Sequence, residues 1–176
     1  DFVNPGNNVY NEFWHGAAVL SVMGGNTPGQ LIGTAPKASF WLLRSEDVVT
    51  EYLIEEYNWV CAAEFADSVG ADIINSSLGY STFDNPLQDH TWADLTGNTT
   101  PVTRGANIAA NKGIAVVNSA GNSAQDPWHY ITFPADGLNV LCIAAVDSEQ
   151  HHAGFSSIGF PSTSDRYTPA LRRVPQ

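Results

Sequence analysis

Three groups of residues in this 176-residue chain have the types and spacing to do chemistry. His15 opens a stretch with helical spacing and shares a face with Val19 and Val22. An imidazole there serves either as a general base or as a capping or core residue, because its proton exchanges near neutral pH. Gly16 beside it removes a side chain where another backbone can come close. Asn122 ends an apolar run through the small residues Ser119, Ala120 and Gly121. Its amide can donate a hydrogen bond to a developing oxyanion; an Ala-Gly-Asn turn uses the same residues without any chemistry. Ser77-Leu78-Gly79 ends a second apolar run. In an open parallel sheet, ligands bind beyond the carboxyl ends of the strands. If both runs are parallel strands, both segments reach one rim.

The elements that must position these groups alternate along the chain. The spacing predicts helices over 15–25, 55–69 and 102–112, the last closed by Gly113. Cys61, Ala62, Phe65, Ala66 and Val69 form the expected apolar stripe of the second helix. Apolar runs predict strands over 38–44, 71–77, 114–117 and 140–146, with a long polar loop over 80–101. Strands apolar on both faces and separated by helices imply an α/β fold, a parallel sheet covered on both sides. No internal repeat and no dividing linker interrupts the pattern. Cys61 and Cys142 fall on apolar stretches and are expected as two buried reduced thiols.

Eighteen acidic residues against seven basic ones leave a net charge of −11. That balance argues against nucleic acid and anionic membrane as partners. No apolar run reaches the roughly 18 residues of a membrane span. There is no signal-peptide pattern and no initiating methionine, so the chain is expected to begin inside a domain. Asp84, Asp89 and Asp94 in the polar loop are either calcium ligands or a solvated acidic surface. Ser156 and Ser157 sit in a Gly-x-Ser-Ser-x-Gly stretch one residue too long for a nucleophile elbow. Arg166, Arg172 and Arg173 give residues 161–176 a different character, a tail of uncertain origin.

Taken in order, the motifs resemble the subtilisin-like serine proteases. His15-Gly16-Ala17-Ala18-Val19 is similar to that family's histidine motif, with Ala17 where threonine is usual. Ala35-Pro36-Lys37-Ala38 resembles the segment that follows it. Asp72 to Gly79 resembles the strand that lines the substrate cleft, and Gly113 to Asn122 the strand leading to the oxyanion asparagine. Pro134-Ala135 through Ser148, and Phe155 to Gly159, resemble the two segments after that. The likeness runs from about residue 1 to about residue 160, the expected partial peptidase domain.

The resemblance implies a three-layer α/β/α sandwich with a mainly parallel sheet, incomplete at both ends. It implies peptide-bond hydrolysis by a Ser-His-Asp triad, in which histidine takes the serine proton and aspartate holds the imidazole. His15 would be the general base and Asn122 the oxyanion donor. Ser77, Leu78 and Gly79 would pair with an extended substrate, and Asn118, Ser119, Ala120 and Gly121 would wall the neighbouring pocket. The family order is Asp, His, Ser. Asp1 and Glu12 are the only acids before His15, neither preceded by an apolar strand, and no Gly-Thr-Ser follows Gly159. No nucleophile is assigned, and the chain alone is expected to be inactive. The alternative is a non-catalytic protease-like module that binds extended peptides. A polypeptide is the expected partner, no cofactor is required, calcium is a structural option, and the full-length protein is expected to be secreted or periplasmic.

Overall fold

The computed structural model describes residues 1–10 and 12–160. Helix α1 runs over Trp14–Gly24 and is followed by a short hairpin of β1 (Asn26–Thr27) and β2 (Leu31–Ile32). The hairpin was not foreseen, although Pro28-Gly29 is a turn signal at its tip. Helix α2 spans Ile54–Ser68, with Glu55 and Glu56 in its first turn, where the helix dipole favours negative charge. Strand β3 (Ile73–Ser76) follows. The polar loop after it holds two short 3-10 turns, Pro86–Gln88 and Trp92–Asp94. Helix α3 (Pro101–Asn111) starts well: Thr100 accepts the Thr103 N–H, and Pro101 opens the first turn. Strands β4 (Ala115–Ser119) and β5 (Leu141–Ile143) complete the sheet.

The sheet is parallel, in the order β3-β4-β5. Ile73 lies opposite Ala115 and Ser76 opposite Asn118; Val117 lies opposite Leu141 and Ser119 opposite Ile143. All three carboxyl ends therefore reach one rim. Because side chains alternate along a strand, this register divides the sheet into two faces. Ile74, Val116, Ser76, Asn118 and Cys142 point to one face; Ile73, Ala115, Val117, Ser119, Leu141 and Ile143 point to the other. The first face meets α2 and α3, which pack on each other. Trp59, Tyr80, Val102, Ala106, Val116 and Phe133 form the heart of that core. Burying one such Val or Phe side chain contributes about 1.5–3 kcal/mol.

Three expectations need correction. Residues 38–44 make no strand; among the described residues no ladder meets their backbone, and an apolar run becomes a strand only where another strand pairs with it. The buried face of α2 is rotated from the expected stripe: Trp59, Ala62, Ala63 and Ala66 are buried, with Glu55 and Glu56. Cys61 is consequently exposed. Cys142 is half-buried, and burial pushes its thiol up to about 11. The tail at 161–176, with its arginines, lies outside the described residues.

Candidate functional site

One buried side chain ties two segments of the sheet's rim. Asn118 is fully buried, and its amide nitrogen donates to the Leu78 carbonyl at 3.0 Å and to the Ser119 carbonyl at 2.9 Å. The Ser119 hydroxyl also reaches the Leu78 carbonyl, at 3.5 Å. The segment beyond β3 is thus tied to the end of β4, which follows from their register. Ser77, Asn118, Ser119 and Ile143 line a shallow open cleft there, with Asn75 and Val117. The Asn118 Oδ1 has no hydrogen-bond partner among the described residues.

Glycines close the back of this rim. A Cβ on Gly79 would run into the Thr132 hydroxyl. Gly121 has φ +98°, and its Cβ would meet both Ser157 Oγ and Thr132 Oγ1 at 2.9 Å. Only glycine fits either place without displacing Thr132. Backbone bonds fix the same contact: Thr132 N–H donates to the Ala120 carbonyl at 3.2 Å, and Ser157 N–H to the Gly121 carbonyl at 2.9 Å. Ala120 is 2% exposed, so this wall is packed from behind. Thr132 was not singled out in the sequence, where it is one threonine in an apolar stretch.

Ser156 and Ser157 are buried and serve the backbone. Ser156 Oγ accepts the Ala145 N–H at 3.0 Å, and Ser157 Oγ accepts the Ser123 N–H at 2.9 Å. Both hydroxyls are enclosed and committed to backbone N–H groups, unlike the exposed hydroxyl of an elbow nucleophile. Asn122 projects from the loop beyond Gly121 and is exposed. An exposed amide at the rim is free to meet a ligand.

His15 stands apart. It lies in the first turn of α1, half-buried, with its ring edge-on to Trp14 at 5.9 Å between centroids. No buried residue belongs to α1, and no hydrogen bond joins His15 to the rim group among the described residues. The structure therefore brings Ser77, Leu78, Gly79, Asn118, Ser119, Ala120 and Gly121 together, but gives His15 no bond to them.

The three loop aspartates do not converge. Asp84 Oδ2 accepts the Glu51 N–H, Asp89 Oδ1 the Phe83 N–H, and Asp94 Oδ2 the Thr91 N–H. Asp89 and Asp94 close local turns and Asp84 ties the loop to the segment before α2, and the three do not gather around a common point among the described residues, so the calcium reading of this trio is corrected. The acidic groups that do converge are Glu46, Glu51 and Glu55. Their spacing of five and four residues across a loop and a helix start carried no sequence signal. Elsewhere the half-buried His90, its ring edge-on to Phe83 and Phe133, pairs its Nε2 with the buried Glu56 Oε1.

Known proteins resemble this chain in sequence and fold. The model of the subtilase family matches residues 1–170. The chain is 29% identical to thermitase of Thermoactinomyces vulgaris, over 90% of this chain and 50% of thermitase. It is 30% identical to subtilisin DY of Bacillus licheniformis, over 82% of this chain and 47% of that protein. The chain spans about half the length of the curated relatives it matches. Among solved structures, MycP1 with its N-terminal propeptide removed is similar in fold, with a TM-score of 0.65 and 23% identity, covering 89% of this chain and 54% of that one.

Proposed function

The chain belongs to the subtilase family, and from that premise we propose that it supplies the substrate-binding and oxyanion side of a serine endopeptidase acting on polypeptides. The observation that carries this is the rim: Leu78 tied to Asn118 and Ser119, beside an exposed Asn122. In this reading the backbone of Ser77, Leu78 and Gly79 pairs with an extended substrate, a form of strand addition. Asn118, Ser119, Ala120 and Gly121 wall the pocket for the side chain before the cleaved bond. The Asn122 amide donates to the oxyanion that forms when the carbonyl is attacked. Subtilisin itself is where removal of such a donor was measured, at about a hundred- to a thousandfold in rate. His15 acts as general base, taking a proton from the nucleophile and passing it to the leaving amine.

The 176-residue chain on its own does not hydrolyse peptides in this reading. It contains no Gly-Thr-Ser after Gly159 and no strand-borne aspartate ahead of His15, and a base with an oxyanion donor cannot form an acyl-enzyme. Residues 1–160 are the partial peptidase domain. The reaction needs no cofactor, and the full-length protein is secreted or periplasmic. No described helix is long and apolar enough to cross a membrane.

Labelling with a serine-reactive fluorophosphonate tests the proposal. The chain alone should stay unlabelled, while a longer protein that adds an upstream aspartate strand and a downstream Gly-Thr-Ser should label stoichiometrically and lose labelling on His15→Ala. Stoichiometric labelling of the 176-residue chain would sink the first half; a longer protein indifferent to His15→Ala would sink the second. Saturable peptide affinity without labelling in the longer protein would favour a non-catalytic peptide-binding module.

A further inference from the structure

The loop that carries Asn122 is closed by its own last residue. It leaves the rim at Gly121, with φ +98°, and ends at His129, with φ +67°. Its first residues are pinned to the segment behind the rim. Ser123 N–H donates to Ser157 Oγ at 2.9 Å, and Ala124 N–H to the Phe155 carbonyl at 3.3 Å. Gln125 Nε2 donates to the Gly154 carbonyl at 3.2 Å. The end of the loop meets the same segment, since the His129 carbonyl accepts the Ile158 N–H at 3.4 Å. Between these anchors one side chain spans the loop: His129 Nδ1 donates to the Ala124 carbonyl.

A carbonyl oxygen only accepts, so Nδ1 carries the proton of this bond. The half-buried imidazole also packs edge-on to the Tyr130 ring, at 5.2 Å between centroids. Left-handed backbone is unfavourable for a residue with a side chain, although histidine, asparagine and aspartate adopt it more readily than most. Such a conformation persists where the surroundings hold it. At His129 the holding groups are the Ala124 carbonyl, which the ring reaches, and the Ile158 N–H, which the His129 carbonyl reaches.

Ala124 stands two residues after Asn122, whose side chain is exposed. An oxyanion donor must lie about 3 Å from the developing charge, and a displacement of about 1 Å costs up to about a hundredfold in rate. An exposed amide has no packing of its own to hold that place, so the loop must hold it. We propose that His129 is a positioning residue for Asn122: its Nδ1–H bond to the Ala124 carbonyl closes the loop and fixes where the Asn122 amide projects. The inference rests on the reading of Asn122 as oxyanion donor, and it gives His129 no contact with substrate.

The test measures kcat and KM of the full-length protein carrying this chain on a chromogenic peptide anilide, with amide exchange over residues 123–126 read alongside. His129→Gly removes the imidazole and relieves the left-handed backbone. His129→Asn keeps an N–H one bond from Cγ, where Nδ1 stands, and tolerates that backbone. In His129→Gly, kcat should fall by about tenfold with KM within about twofold, and exchange should accelerate. His129→Asn should recover kcat to within about threefold of the parent and restore the slow exchange. In an Asn122→Ala background, His129→Gly should cost less than about twofold, because the donor it positions is gone. If His129→Gly fails to fold, His129→Asp decides, since it has the shape of asparagine without the amide donor and should behave as the glycine variant. Unchanged kcat or unchanged exchange in His129→Gly overturns the inference, as does His129→Asn as slow as His129→Gly. So does a kcat loss that persists in full without Asn122. Asn122→Ala with the parent's kcat would sink the oxyanion reading and this inference with it, whereas a slow Asn122→Ala beside a fully active His129→Gly sinks the inference alone.

Discussion

The two faces of the parallel sheet are built from the same three strands and meet different surroundings. On one face, Val116 is 1% exposed and Asn118 is fully buried beneath α2 and α3. On the other, Ile73 is 62% exposed, Leu141 53% and Ile143 54%. Helix α1, which carries His15, likewise buries no residue. Strands this apolar on both sides encode two interfaces, and the described residues form one of them. The part of the candidate site built on the covered face is therefore positioned by packing. The part carried by α1 is not. A general base works only when held within hydrogen-bond reach of its proton, so the two halves of the proposed machinery differ in how far they are organised.

The largest effect should come from charging the covered face. Val116→Asp buries an unpaired carboxylate and should cost about 4 kcal/mol or more. Urea unfolding measures it, and a loss no greater than that of an open-face substitution would erase the contrast between faces.

The helix layer should add a pH dependence. Asp136 is fully buried against Thr103 and the Gly97 N–H, and burial raises its carboxyl from 3.8 to about 6. The unfolded carboxyl ionises first, so the folded state holds the extra proton between those values. This contribution is complete below pH of about 4 and is lost as pH rises through about 6, amounting to about 3 kcal/mol. Asp136→Asn should flatten melting temperature against pH over that window. An unchanged profile would place the titration elsewhere.

Asn118→Ala should cost about 2 kcal/mol, because it leaves the half-buried Leu78 carbonyl without its amide donor. Amide exchange in residues 77–79 should accelerate with it. A variant as stable as the parent, with unchanged exchange, would mean that the rim is not held by this side chain.

The smallest effect belongs to the open face. Ile143→Lys should change stability by no more than about 0.5 kcal/mol, while reducing self-association through an exposed apolar patch and the edges of β3 and β5 that no strand pairs among the described residues. Sedimentation velocity reads the second effect. A cost near that of Val116→Asp would show that this face is covered after all.

Much of the fold was legible because its signals are local and periodic. Helix α3 announced itself through its spacing and the closing Gly113, and β3 and β4 through apolar runs ending in small polar residues. The rim followed from those runs once they were taken as parallel. Other features were not legible. The helical stripe on α2 was misplaced by a fraction of a turn, since Glu55 and Glu56 are buried although their type predicts exposure. Residues 38–44 have the composition of a strand but not the partner.

By itself the sequence determined the family and the alternation of helix and strand, and it supplied the candidates proposed as base and oxyanion donor, because motif order and period are properties of neighbours along the chain. Tertiary structure alone decided which sheet face is covered, that Asn118 ties Leu78 to Ser119, that Thr132 demands glycine at 79 and 121, and that Glu46, Glu51 and Glu55 converge. Those facts depend on residues brought together from distant parts of the chain. Burial, which sets the strength of each charge and hydrogen bond, exists only once the packing is made.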